Sequence, residues 1–161
     1  MPTPDLRPVT NSAPYLCDFI PEAEFRRITG VRDPLRANMT GLPSDNGLCL
    51  AHRSTGNPPL GIHWDYDDGP QIIADHERDY ADNSPHKLPA DLGRGIALTG
   101  HVRPRTNYVI ALFRCGKERP WMSIDFVPVV RGRDAVQDMV AFMRIAQQRF
   151  GEIHKCTPRP S

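Results

Sequence analysis

The sequence predicts an α+β domain in which helices pack on one mostly antiparallel sheet of about five strands. Short runs of strand-like alternation are joined by turn residues, which favours antiparallel pairing. Helical patterns separate these runs, and four cysteines fall at the ends of the expected elements. The predicted order is α-β-β-α-β-β-β-α with two disulfides. We expect a single domain over residues 15–156, a flexible Pro-rich tether over 1–14 and a C-terminal tail over 157–161.

Three helices are expected. The first has Pro21 at its first position and ends at Gly30, which suits the turn after a helix. The second opens at Asp68-Gly69-Pro70. The third has the strongest pattern: Asp134 can cap it, apolar residues recur on one face, and Gly151 is predicted to end it.

The strand patterns lie in the middle of the chain. Residues 54–58 are of the types that form turns and predict a hairpin between the first two strands. Residues 116–120 predict a second hairpin. The Pro- and Gly-bearing segments 31–46 and 82–95 are predicted as loops. The five expected strands are 47–53, 60–66, 96–101, 108–114 and 121–130.

The cysteines predict two disulfides, Cys17–Cys49 and Cys115–Cys156, and therefore an oxidising compartment. A strand over 121–130 spans about 30 Å and the following helix returns about 25 Å, so Cys156 should lie beside Cys115. Closing loops of this size contributes about 3–4 kcal/mol for each bond by the chain-entropy model.

Size and charge narrow the range of functions that this chain can have. The 161 residues suit one domain with a real core. The net charge is only +1, from 20 basic and 19 acidic residues, so we expect no nucleic-acid partner. No apolar run reaches the roughly 20 residues of a transmembrane helix, so none is expected in this chain.

No motif predicts a reaction, a metal or a cofactor. The cysteines lack the close spacing of a zinc site, and the acidic cluster at 65–69 departs from a calcium loop after Gly69. No Gly-x-Ser-x-Gly elbow is present. His63 should lie on the opposite side of its strand from Trp64.

The residues that remain as ligand-binding candidates are basic. Arginine suits the recognition of carboxylate or phosphate. Several arginines occur near the three-strand segment, including Arg131 and Arg133, although a solvated surface of mixed charge would have the same composition. The binding candidates are Arg94, Arg103, Arg105, His63 and His101.

The segment Cys17-Asp-Phe-Ile-Pro-Glu-Ala-Glu-Phe, with a second cysteine at Cys49, resembles an uncharacterised family of actinobacterial secreted lipoproteins. In that family a cysteine and an apolar pair precede the first helix, and another cysteine lies in the first strand. Residues 92–97 resemble a Leu-Gly-Asp-x-Ala-like family segment. The similarity covers about residues 15–150. Ala51 stands where the family often has an aromatic residue, and Arg94 stands where it has an acid.

The resemblance implies a cell-envelope location and an α+β fold similar to PsbP-like domains. Extracellular sensor domains of some mycobacterial kinases have a similar arrangement of two disulfides. In this resemblance the Cys115–Cys156 pair is an addition, and no catalytic residues are carried over.

The sequence thus predicts a non-catalytic domain that is secreted or anchored through an upstream lipid, and that binds an envelope protein or a small ligand. Two alternatives remain. A small secreted hydrolase would use His63, Asp65 or His101 in a cleft. A cytosolic interaction module would keep its cysteines reduced.

Overall fold

The computed structural model describes residues 3, 5–42, 46–100 and 107–161. These residues form an α+β structure with antiparallel sheets, three α-helices and two disulfides, as predicted. The helices are α1 (Glu22–Thr29), α2 (Gly69–Asp79) and α3 (Ala135–His154), with 3₁₀ turns at Ala81–Asn83 and Ala90–Leu92. The strands are β1 (Tyr15–Leu16), β2 (Ile20–Pro21), β3 (Arg36–Leu42), β4 (Asn46–His52), β5 (Leu60–Asp65), β6 (His86–Lys87), β7 (Arg94–Leu98), β8 (Asn107–Cys115), β9 (Trp121–Phe126) and β10 (Pro158–Pro160).

The large sheet of the described residues has eight strands, so the prediction of about five was too low. Its order is β3-β4-β5-β9-β8-β7-β6, and β10 pairs antiparallel with the end of β8. Strands β1 and β2 form a separate two-stranded sheet. The predicted hairpins β4–β5 and β8–β9 are both present.

Three strands of the large sheet were missed. β3 lies at the edge of the sheet inside the segment 31–46 that we predicted as a loop. Its polar and apolar residues alternate from Arg36 to Thr40, but Pro34, Gly41 and Pro43 around this short run favoured a loop. β6 has only two residues. β10 contains Pro158 and Pro160, which an edge strand tolerates because one side of it needs no ladder hydrogen bonds. Residues 157–161, predicted as a tail, therefore include a paired strand.

The third helix begins as predicted and ends later. Asp134 caps it by accepting hydrogen bonds from the backbone N–H groups of Val136 and Gln137. Gly151 does not end the helix, which continues to His154. A Cβ atom on Gly151 would lie 2.6 Å from the carbonyl oxygen of Cys156, so this glycine allows the C-terminal segment to pack against the helix.

Both predicted disulfides are present, and no cysteine remains free. The Cα atoms of Cys17 and Cys49 are 5.8 Å apart, and those of Cys115 and Cys156 are 5.3 Å apart. Two such bonds are typical of proteins that fold in an oxidising environment.

Helices α1 and α3 cover one face of the sheet, and a continuous core fills the space between. Phe25 of α1 contacts Phe126 of β9 and Phe142 of α3 through their rings. On the same face Trp64 is fully buried with Phe19 against its ring. Trp64 therefore belongs to this core.

Two arginines fasten the N-terminal segment to this helical layer. Arg133 forms a two-bond ion pair with Asp138, with both side chains 4% exposed, and also donates to the carbonyl oxygens of Asp5 and Arg7. Arg27 of α1 donates to the carbonyl oxygens of Arg7 and Pro8. The segment that we predicted as a tether is thus bound to the domain from residue 5 onward.

Candidate functional site

The outer face of the sheet, opposite α1 and α3, is divided into two halves. Helix α2 packs over β7 and β8 and buries its Ile73 there. We call this the covered half. The sheet residues packed with Ile73 in the covered half are Ile96, Leu98, Tyr108, Ile110, Leu112 and Trp121.

The other half of this face, on β3, β4 and β5, has no helix over it among the described residues. The cross-strand register places Thr40, Leu48 and His63 in one row that continues through Ser123 into the covered half. A parallel row runs through Asn38, Leu50 and Gly61. We call these residues and their neighbours the open surface: Arg36, Asn38, Thr40, Leu48, Leu50, His52, Gly61 and His63.

Small and apolar residues give the open surface its shape. Leu48 is 40% exposed, which is rare for a large hydrophobic side chain in this structure. Gly61 lies between Leu50 and Asp125, and a Cβ atom there would be 3.1 Å from the Leu50 side chain and 2.9 Å from the Asp125 carboxylate. Gly61 is therefore buried beneath these two side chains, and a larger residue at this position would displace them.

His63 is the titratable group at the centre of this surface. As predicted, it lies on the opposite side of β5 from the buried Trp64. Its ring contacts Trp121 edge to face, with ring centroids 4.7 Å apart. Partial burial lowers the pKa of His63, whereas the negative charge of Asp65 acts in the opposite direction. Because burial is the larger effect, the neutral imidazole is favoured near pH 7.

The same region contains the residue types of a serine hydrolase without their geometry. Ser123 lies directly across from His63, and Asp65 lies two residues along β5. However, Ser123 is only 6% exposed, and within the described ranges no hydrogen bond joins it to His63. The carboxylate of Asp65 instead accepts from the backbone N–H of Asp67. A nucleophile needs a base within hydrogen-bonding distance, and these side chains do not provide one.

The predicted arginine site is not assembled around His63. Arg94 lies in β7 and forms an ion pair with Glu77 of α2. Three strand spacings separate β7 from β5, or about 14 Å. Arg133 is used in the buried pair with Asp138. The other three candidates, Arg103, Arg105 and His101, lie outside the described residues.

A basic corner at the end of the open surface was not predicted. Arg36 of β3 is directly opposite His52 of β4, and together with Ala37 and Asn38 they line a cavity of about 470 Å³. Within the described part of the chain, no carboxylate lies within ion-pair distance of Arg36 or His52. The two residues are 16 positions apart in the sequence, and β3 had been predicted as a loop, so no local pattern could have connected them.

A second concavity lies on the helical side of the molecule. A groove of about 520 Å³ separates α3 from the segment before β7. Lys87 and Arg144 lie at its margins, and Arg144 forms an ion pair with Asp91. Its apolar lining residues are Leu88, Pro89, Val136, Val140 and Ala141.

The described residues contain no group of three histidine, cysteine, aspartate or glutamate side chains that could hold a metal ion. Within the same residues, no helix has both the length and the apolar character needed to cross a bilayer.

Comparison with protein-family models, curated proteins and solved structures finds no match to this chain.

Proposed function

We propose that this chain is a non-catalytic domain of the cell envelope, secreted or lipid-anchored, that binds a partner protein through the open surface. The observation that carries the proposal is the incomplete cover of the outer face. One half of that face is packed under α2, whereas Leu48 and Leu50 on the other half lie in contact with solvent. Exposed apolar side chains bordered by polar ones are typical of an interaction surface.

The absence of catalysis is part of the proposal. His63 has a lowered pKa, but it faces Trp121 and an exposed sheet rather than a cleft that could exclude water. The secreted hydrolase is therefore the weaker candidate. The cytosolic module is also weaker, because both pairs of cysteines are close enough to be bonded.

A small apolar ligand in the groove beside α3 is the second candidate. It is favoured by the apolar lining of Leu88, Val136 and Val140. The partner protein remains first because the open surface extends across three strands, β3, β4 and β5, whereas a small ligand needs an enclosed pocket.

Site-specific photocrosslinking tests the proposal. A photoreactive amino acid is placed at Leu48 on the open surface, or at Ile153 on α3 as a control of similar exposure, 40% against 36%. After irradiation with envelope extract of the native host, we expect a discrete crosslinked product from position 48 only. An excess of unlabelled wild-type domain should suppress it, whereas the same excess of the Leu48→Ser, Leu50→Ser variant should not.

Equal products from both positions, or none from position 48, would contradict the proposal. A product that the double variant suppresses as well as the wild type does would show that binding occurs elsewhere on the domain.

A further inference from the structure

Strand β3 is a long free edge. It is the first strand in the sheet order and pairs with β4 over seven residues, Arg36–Leu42. Among the described residues, nothing pairs with its other side. The opposite end of the sheet is different, because β6 has only two residues there. A free edge presents unpaired backbone N–H and C=O groups, which another extended chain can use.

Apart from the charged Arg36 at its first position, the usual protections of an edge strand are missing from β3. Its sequence, Arg-Ala-Asn-Met-Thr-Gly-Leu, contains no proline and no lysine. Its register with β4 is unbroken, so no bulge turns it away from a neighbour. Residues 36–38 and Thr40 are exposed, and only Gly41, near the end of the strand, has a positive φ, of 85°.

The charge beside this edge is positive, and Arg36 has no ion-pair partner among the described residues. Arg36 and His52 face each other across β3 and β4, so two basic side chains lie side by side at this corner. Arg53, the next residue after β4, has only a long contact of 4.0 Å with Asp33. A carboxylate in the cavity beside Arg36 could accept hydrogen bonds from the guanidinium and from the Asn38 amide.

Two occupants of this edge can be compared, namely a second copy of the chain and an acidic extended segment of a partner. A second copy would bring another β3, which contains no acidic residue, and would leave the basic corner uncompensated. An extended segment with acidic side chains would supply both the backbone partners and the missing negative charge. Alternate side chains of such a segment would lie beside Asn38 and Thr40 on the open surface.

We infer that β3 accepts an extended acidic segment of the partner as an additional strand, with a carboxylate of that segment in the corner formed by Arg36, Asn38 and His52. This inference rests on the proposed function and specifies the chemistry of the partner. Backbone hydrogen bonds supply sequence-independent affinity in this mode of recognition, and the side-chain pockets supply selectivity.

Two synthetic peptides test the inference by NMR titration of the ¹⁵N-labelled domain. One is acetyl-Thr-Val-Glu-Val-Glu-Val-Thr-amide, and the other has lysine in place of both glutamates. We expect the acidic peptide to shift the amide signals of residues 36–40 and of His52, and to bind at least tenfold more tightly than the lysine peptide. The Arg36→Gln variant should lose this preference, whereas Arg159→Gln, an exposed arginine on β10, should keep it within about twofold.

Three outcomes would overturn the inference: no shifts along β3 with either peptide at millimolar concentration, equal affinity for both peptides, or β3 shifts that follow protein concentration alone. The last outcome would identify a second copy as the occupant. Failure here is distinguishable from failure of the proposed function, because photocrosslinking at Leu48 needs no strand on β3.

Discussion

The two halves of the outer sheet face consist of strands of the same antiparallel sheet, but one half is packed under a helix and the other is exposed to solvent. In the row that crosses both, His63 is exposed whereas Ile110, two strands away, is fully buried under α2. The difference follows from dimensions. The seven strands that lie side by side from β3 to β6 are about 4.8 Å apart, so the sheet is about 29 Å wide. One helix with its side chains is only about 10–12 Å wide. A single helix can therefore cover only part of this face, and the rest must either be polar or bind something.

Breaking the Cys17–Cys49 bond should have the largest effect and should act on the open half. This bond fastens β4 from the helical side, and none of the described residues forms a layer over the other face of β4. The Cys17→Ser, Cys49→Ser variant should lose about 3–4 kcal/mol of unfolding free energy, measured by chemical denaturation. Hydrogen exchange should accelerate more in β3 and β4 than in β7 and β8. Uniform acceleration would indicate that the two halves unfold together.

Truncating one apolar side chain in each half compares them directly. Ile73→Ala removes a fully buried side chain from the contact of α2 with the covered half and should cost about 3 kcal/mol. Leu48→Ala on the open surface should change the unfolding free energy by less than about 0.5 kcal/mol, because Leu48 is already largely in contact with solvent. Thermal or denaturant unfolding measures both values. A cost for Leu48 similar to that for Ile73 would mean that the open surface is covered in the folded domain.

The smallest effect is the pH dependence of His63. Burial lowers its pKa in the folded state, so the unfolded chain binds this proton more readily. The contribution of His63 to stability is therefore full above the ordinary histidine pKa of about 6.5 and is lost as the pH falls from there through the lower folded value.

An NMR titration of the His63 ring should give a midpoint below 6.5, and Asp65→Asn should lower it further because a favourable negative charge is removed. Trp121→Leu is the matched test of burial and should raise the midpoint. A midpoint at or above 6.5 in the wild type would contradict the prediction, because it would show that burial does not lower the pKa of His63.

Local patterns were enough to predict much of this fold. The cap at Asp134 and both hairpins depend on residues whose roles are set by their neighbours. Both predicted disulfides are present, although β9 ends at Phe126 and is shorter than the strand over 121–130 that the length estimate used. Strand β3 was missed although its residues alternate from Arg36 to Thr40, because the prolines and the glycine around this short run favour a loop and only the pairing with β4 shows that it is a strand.

The candidate site was less predictable, because its residues come together only through strand pairing. Alternation was sufficient to place His63 on the outer side of β5. Sheet order and register decide that Arg94 pairs with Glu77 and that Arg36 lies opposite His52. No local pattern in the sequence contains that information.

The binding of the N-terminal segment to Arg27 and Arg133 has a practical consequence for how the domain is handled. The chain enters on the helical side, where Asp5 and Arg7 are bound, and the open surface lies on the other side of the sheet. A biotin or affinity tag placed ahead of residue 5 would therefore immobilise the protein on a sensor chip with the open surface directed away from the solid support. A tag after Ser161 would follow β10 in the plane of the sheet. The N-terminal and C-terminal tags should therefore give immobilised protein with different binding capacities for the same partner.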